Sequence, residues 1–444
     1  MPDKESAAYQ ARSERTLNRG WYSGHAVSDT RPSRYAWFVV ALLVPVALLN
    51  YLDRQMLASM KFSLMTDIPD IGSEANWGKI LALFKWTYAF LSPVGGYLAD
   101  RFSRRHVVAL SLLVWSSVTW ATGHVTSFDQ LLLTRAIMGI SEAFYMPAAL
   151  ALIADYHIGN TRSRAIGMHQ MGIYAGVIIG GFTGYAAEHP ELGWRWMFDL
   201  CGLAGILYVV PMFLMVRNAP MMQRTDEPVG TSPFGAVGEL LRNRSFVLLV
   251  MYFTLPAMAG WIVRDWMPAI LKTEFGIGQG QAGVSASLYW MLAAIAAALV
   301  GGWLADRWMK KTDRGRIYTS AIGMVLIVIA MMGVGYSPQT GMLWVAIAFL
   351  IVFGTGWGFF DCNNMPILCQ ITRPHLRATG YGIMNMVSIS CGGMADWGFG
   401  MLRDHHIHLV AIFGVFASVA LVSVALVLMI KPTYVDREES PLTH

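Results

Sequence analysis

The amino-acid sequence predicts an all-α integral membrane protein: twelve transmembrane helices in two pseudo-symmetric six-helix halves. Three observations lead there. The first is composition: of 444 residues, 55% are apolar and only 14% charged, against about 45–50% and about 25% in soluble proteins. Mean hydropathy is +0.45, and 28 Met and 16 Trp add apolar mass. A soluble fold of this length has too few charges to cover that surface, and disorder, a coiled coil, a secreted disulfide scaffold and a nucleic-acid binder are excluded on the same grounds. The second observation is a series of apolar runs of spanning length, and the third is an internal repeat.

The elements follow in order. Residues 1–34 are polar and carry Lys4, Arg12, Arg15, Arg19, Arg31 and Arg34 before any apolar run. They read as a cytoplasmic tail with no cleavable signal peptide. A spanning helix needs about 20 mostly apolar residues. Such runs are expected near 36–62, 77–99, 107–125, 129–153, 164–187 and 195–217 in a first half covering 35–217. A stretch over 218–244, with Pro220, Asp226, Glu227, Pro228, Gly230 and Pro233, reads as a cytoplasmic linker. The second half, 245–432, has runs near 245–271, 281–306, 318–337, 341–370, 378–402 and 407–431, followed by a short cytoplasmic tail over 433–444. The four cysteines fall inside apolar runs without paired spacing, so no disulfide, metal or cofactor site is expected.

Orientation follows from the excess of Lys and Arg in cytoplasmic loops. With the N-terminus inside, 24 of the 33 basic residues fall on the inner tails and loops. Both termini are therefore expected in the cytoplasm, and the pI near 9.0 reflects topology rather than a polymer-binding surface. The repeat sets the architecture: Gly95-Gly96-Tyr97-Leu98-Ala99-Asp100-Arg101 recurs 206 positions later as Gly301-Gly302-Trp303-Leu304-Ala305-Asp306-Arg307. Each copy closes the second run of its half and is followed by cations. A second echo places Glu142 five residues before Pro147 and Asp361 five before Pro366. Two parallel six-span repeats are an arrangement of transporters that bind substrate between them.

The Gly-x-Leu-Ala-Asp-Arg pattern with its following cations, present in both halves, resembles the loop motif of the major facilitator superfamily over residues 35–432. Ser103 stands where that pattern prefers Gly. The resemblance implies a conformational latch at Asp100, Arg101 and Arg105, and at Asp306 and Arg307, that stabilises the outward-facing state. Asn50-Tyr51-Leu52-Asp53-Arg54, with Arg135-Ala136-Ile137-Met138-Gly139-Ile140-Ser141-Glu142-Ala143, resembles the anion:cation symporters of hexuronates, sugar acids and sialic acid. Both segments, with Leu152-Ile153-Ala154-Asp155, are also similar to Spinster-like lipid transporters.

Charged groups deep in a bilayer are costly and point to function. Arg135 and Glu142 are seven residues apart, which returns them to nearly the same helix face about 10 Å apart along the axis. With Asp53 and Arg54 they form two acids and two bases able to meet in one cavity. The balance between such partners lets a carboxylate gain and lose a proton near neutral pH. Asp53 and Glu142 are accordingly read as proton-coupling residues, as the symporter resemblance also implies, with Arg54 and Arg135 as their partners or as the site for an anion. Lys85 lies eight residues into the second span with no acid at helical spacing. It needs a counter-charge from another helix or from an anionic ligand, with Tyr88 one turn on. Asp361, Asn363 and Asn364, and more weakly Asn385, suit hydrogen bonds to substrate hydroxyls. Arg264-Asp265 reads as a local pair, and Asp396 has no assigned role. Gly172, Gly176, Gly180, Gly181 and Gly184 of the fifth span form a small-residue stripe for close helix packing. That stripe lacks the Pro that, in the superfamily, accompanies antiport.

The expected function is proton-coupled symport, with sodium as the alternative ion, of a small organic anion such as a uronate, aldonate or acidic amino sugar. The alternative is a Spinster-like, proton-linked exporter of lysolipids or sphingolipids. No His-Glu-x-x-His, Gly-x-Ser-x-Gly or phosphate-cradling loop is present, so an enzyme is not expected. Membrane lipid surrounds the chain in this reading. It is expected to be monomeric, to lack nucleic-acid partners, and to sit in a bacterial inner membrane.

Overall fold

A computed structural model describes residues 34–157, 161–217, 233–373 and 376–433. The expected tails, apart from Arg34 and Thr433, and the linker as far as 232 lie outside the described residues. Twelve long helices are found: α1 (Arg34–Ser59), α2 (Glu74–Arg101), α3 (Arg104–Thr122), α4 (Phe128–Tyr156), α5 (Arg162–Glu188), α6 (Gly193–Met215), α7 (Arg244–Phe275), α8 (Gln279–Met309), α9 (Gly315–Thr340), α10 (Leu343–Ile371), α11 (Arg377–Asp404) and α12 (Leu409–Met429). Among the described residues, two short α-helices and a 3₁₀ helix at Pro69–Ile71 accompany them. Lys61–Asp67 follows α1 after a break at Met60, and Pro233–Arg242 occupies part of the stretch read as linker.

The ends of these helices follow local chemistry. Ser73 and Ser127 accept hydrogen bonds from Asn76 and Gln130 as N-caps of α2 and α4, and Asn243 caps α7 through the Ser245 and Phe246 amides. Gly276 and Gly341, at φ 63° and 65°, end α7 and α9 in the left-handed conformation that glycine adopts without steric cost. Prolines lie inside several spans, among them Pro147 in α4 and Pro366 in α10, as neighbouring helices in a bundle permit.

Nine of these helices are apolar enough to be recognised as spans by hydropathy alone. The other three are less apolar: α2 and α11 carry charge and glycine, and α3 carries Ser111, Ser116, Ser117, Thr119 and Thr122. Leu110, Leu207, Leu299 and Val415 on α3, α6, α8 and α12 are exposed, an apolar surface suited to lipid rather than water.

Packing follows the repeat. In the first half α1 lies on α5, α2 on α4, and α3 on α6. In the second half α7 lies on α11, α8 on α10, and α9 on α12. The halves meet where α2 packs on α11 and α5 on α8, with α1 against α7 between them. Each of these three pairings in one half thus has its counterpart in the other.

At the end away from the described termini the halves are sealed together. Gln279 of α8 accepts hydrogen bonds from Phe62 N (2.9 Å) and Ser63 N (3.3 Å). Glu188 of α5 accepts from Gln279 N and from Gly280 N (3.1 Å) and pairs with Lys272 (3.2 Å). Asp404, at the end of α11, accepts from Glu74 N (2.9 Å) and Ala75 N (2.8 Å), placing a carboxylate on the first turn of α2 where the helix dipole favours it. Glycine lets the backbones approach. A Cβ on Gly181 would stand 2.7 Å from the Gly283 carbonyl oxygen, and one on Gly184 would stand 2.6 Å from that of Gln279. Toward the other end Asp361, Met365 and Tyr381 of α10 and α11 are exposed, so the interior opens where both described termini lie.

Candidate functional site

The spanning charges expected on α1 and α4 come together within the first half. Arg54 Nε donates to Glu142 Oε2 at 2.7 Å and its Nη2 lies 2.6 Å from the same oxygen. The Arg54 guanidinium also lies over the rings of Tyr51 (4.8 Å), Phe84 (4.8 Å) and Tyr88 (5.0 Å), which offsets part of its desolvation. Thr119 of α3 donates to Asp53 Oδ2 at 2.8 Å. Arg135 Nη2 donates to Thr122 Oγ1 at 3.0 Å, and its guanidinium is within electrostatic reach of both Asp53 and Glu142. Two acids and two bases thus form one buried group that is electrically neutral within its own half.

Lys85 behaves differently. Its counter-charges come from the other half, since Nζ contacts both Asp265 of α7 and Asp396 of α11 and sits 4.3 Å above the Trp261 ring. Lys85 and Asp396 are 3% and 0% exposed, and such a charge persists in a bilayer interior only when paired. The local Arg264–Asp265 pair is not formed: Asp265 turns to Lys85. The Arg264 carbonyl accepts a hydrogen bond from Gln55 (3.4 Å), and its guanidinium lies over Tyr51 (4.9 Å) and Trp261 (5.3 Å). Consecutive residues of a helix point about 100° apart, so adjacency in sequence works against that pair.

These groups surround a pocket lined by Arg54, Leu57, Ile80, Leu81, Phe84, Lys85, Arg135, Trp261, Arg264 and Asp265. Four cations and one carboxylate face it. Arg135 and Arg264 form no ion pair among the described residues, and Arg264 Nε and Nη2 are buried without a hydrogen-bond partner.

The candidates of the second half lie nearer the open end and outside this lining. Asn363 Nδ2 donates to the Phe359 carbonyl (3.0 Å), and Asn364 is buried beside Asp361. Asp361 is within electrostatic reach of Tyr174 of α5 and Tyr381 of α11, and Asn385 bonds with Tyr381. Tyr51 lies within the same reach of Tyr174 and Tyr381, so a band of phenol hydroxyls stands between Asp361 and the pocket. Tyr51, Tyr174, Tyr381, Arg264, Asp265 and Asp396 carry no site role in the sequence analysis: no local spacing marks the three tyrosines, and the partners of the last two lie on distant helices.

At the end bearing the termini, the side chain of Asp100 lies outside the described residues. Arg101 bonds to Tyr97 one turn earlier, and Arg105 donates to the Val216 carbonyl (3.2 Å). Arg104 pairs with Asp155, joining the loop cations to α4. In the second half Asp306 lies 3.7 Å from Arg316, and Arg307 stands over Trp303 at 5.5 Å. Arg101 and Asp306 are exposed in this conformation.

Comparison with known proteins agrees with this architecture. The profile of the Major Facilitator Superfamily matches residues 43–395. Protein spinster homolog 1 of Xenopus tropicalis is 28% identical over 310 residues, covering 66% of this chain and 58% of its own length. The Homo sapiens homolog is 32% identical over 266 residues, covering 57% and 49%. The chain thus spans about half the length of these curated relatives. A probable L-galactonate transporter of Escherichia coli (strain K12) is 24% identical over 394 residues, 85% of each chain. Among solved structures, a bacterial homolog of the human lysosomal transporter Spinster, inward-facing and unoccupied, superposes with a TM-score of 0.72 at 20% identity, covering 90% of this chain and 95% of that one. A D-xylose-proton symporter gives 0.74 at 18% identity, covering 90% and 98%. At such identities these two structures establish the fold alone. With the family profile spanning both halves of a twelve-helix bundle, this chain belongs to the Major Facilitator Superfamily of multi-pass membrane transporters.

Proposed function

We propose that the protein is a proton-coupled symporter of a small organic anion, a sugar acid of the uronate or aldonate type, working by alternating access. The observation that carries this reading is the pocket lining, in which Arg54, Lys85, Arg135 and Arg264 meet one carboxylate, Asp265. A guanidinium with free donors binds a carboxylate through charge-assisted, often bidentate hydrogen bonds. Trp261 and Phe84 in the same lining offer faces for a sugar ring, and the hydroxyls of Tyr51, Tyr174 and Tyr381 suit its hydroxyl groups. The relative named as a probable L-galactonate transporter is consistent with such a substrate.

Asp53 and Glu142 are the coupling acids of this reading, because each is held by partners whose balance a proton or a bound anion alters. By the charge asymmetry of the loops, the open end and both termini face the cytoplasm of a bacterial cell, and the sealed end faces outward. The latch residues Asp100, Arg101, Arg105, Asp306 and Arg307 would then join the halves in the opposite conformation.

A second reading, proton-linked export of a lysolipid or sphingolipid, is favoured by Leu57, Ile80 and Leu81 in the pocket lining and by the Spinster relatives. The four cations in the same lining favour the sugar acid.

Purified protein in liposomes tests this. Labelled galactonate is expected to enter faster under an inward proton gradient, with glucuronate competing and neutral galactose and lysophosphatidylcholine not competing. Flux that is unchanged by a protonophore, or inhibited equally by galactose, overturns the proposal.

A further inference from the structure

The cluster that ties the two halves together at mid-membrane has charges that do not cancel. Lys85 supplies one ammonium, while Asp265 and Asp396 supply two carboxylates, and all three are buried. Each element packed around them contributes groups. From α7, Arg264 adjoins Asp265 without pairing with it, and Trp261 and Trp266 lie beside Lys85 and Asp396. From α1 and α4, Arg54, Arg135 and Glu142 stand across the pocket, with Glu142 already held by Arg54.

The division between halves gives this arrangement a consequence. Lys85 belongs to the first half, and both aspartates belong to the second. The other bonds that close the sealed end, at Gln279, Glu188 and Asp404, lie on its far side. If the halves part there, Lys85 leaves and two neighbouring carboxylates remain on one half, facing newly admitted water. Two carboxylates held close enough to share one ammonium repel each other once it has left, which disfavours both being ionised at mildly acidic pH. One takes a proton from the water on that side, forming an O–H bond at a carboxylate oxygen. When the seal closes again the ammonium returns between them, the O–H bond breaks, and the proton leaves to water in the chamber that opens at the other end. Lys85 stays protonated throughout, so one proton moves and charge balances at each step.

We propose that Asp265 and Asp396 form a second proton-binding site, filled when the sealed end opens and emptied when Lys85 returns between them. The site is distinct from the Asp53 and Glu142 group, which lies wholly within one half. It rests on the proton-coupled reading above but not on the identity of the anion, and its test needs no substrate.

The test is double electron–electron resonance between spin labels on Thr126→Cys and Met342→Cys, exposed positions on opposite halves at the sealed end, with the native cysteines replaced. As pH is lowered from about 8 to about 5, the ratio of open to closed populations is expected to rise, by up to about tenfold per unit for one linked proton. Asp265→Asn and Asp396→Asn are each expected to flatten that dependence, whereas Asp53→Asn keeps it. A wild-type distance distribution insensitive to pH, a slope unchanged in both Asn variants, or an open population that follows Na⁺ at fixed pH overturns the proposal. Two independent variants and the wild-type titration keep it decidable if one variant misfolds.

Discussion

In the first half, Arg54 and Glu142 bind each other, Asp53 is held by Thr119, and Arg135 lies within reach of both acids. In the second half, Asp265 and Asp396 form no ion pair within their own half among the described residues and reach across to Lys85. The topological repeat therefore does not extend to the charges. A neutral group within one half keeps its partners as the halves move, so its state responds to what enters the chamber. A pair split between halves is made and broken by the motion itself, so its state reports which end is open.

Four experiments break or sharpen that contrast. The largest effect is expected at Glu142→Gln, which leaves Arg54 buried without its counter-charge, a loss of about 3–5 kcal/mol for a broken buried pair. Galactonate uptake in proteoliposomes should fall by about 100-fold or more, and uptake near the wild-type level would make the internal group a static strut. Next comes Arg264→Ala, which removes a cation with free donors from the pocket. Calorimetry should show galactonate affinity reduced about 10- to 100-fold, since a hydrogen bond to a charged group contributes about 1.5–3 kcal/mol. Unchanged affinity would remove Arg264 from the site.

A smaller effect follows from Gly184→Val, which forces a side chain against the Gln279 backbone. Overpacking costs about 1–3 kcal/mol, and it should raise the labelling rate of Ser63→Cys by an impermeant maleimide by up to about tenfold as the seal loosens. Equal labelling would mean that the seal does not depend on glycine contact. The smallest is expected at Asp361→Asn. This carboxylate is exposed at the open end, so uptake should change by less than about threefold, in line with exposed substitutions away from paired groups. Loss of transport there would give the second half a coupling acid of its own.

Much of this molecule was legible in its sequence. Twelve apolar runs and the Gly-Gly-x-Leu-Ala-Asp-Arg echo lead to two parallel halves, because bilayer thickness fixes helix length and repeats leave shared motifs. The grouping of Arg135 with Glu142 is readable because seven residues complete nearly two helical turns. Partners on different helices have no comparable signal. Lys85 lies 180 and 311 residues from its two aspartates, and nothing in local spacing selects them. Arg264 and Asp265 show the reverse error, being neighbours in sequence that a helix turns apart. The helices hydropathy alone leaves out, α2, α3 and α11, include the pair α2 and α11 that pack on each other where the halves meet. Charge and glycine lower the hydropathy of these two, as suits helices that face the other half.

The glycine contacts at the sealed end carry one more consequence. Where Gly181 and Gly184 face the main chain of Gly283 and Gln279, main chain lies on main chain, and the glycines carry no rotamers to reset when the surfaces separate. A joint of that kind dissipates little on each stroke, which leaves the pace of the cycle to be governed by the charges seated deeper in the bundle.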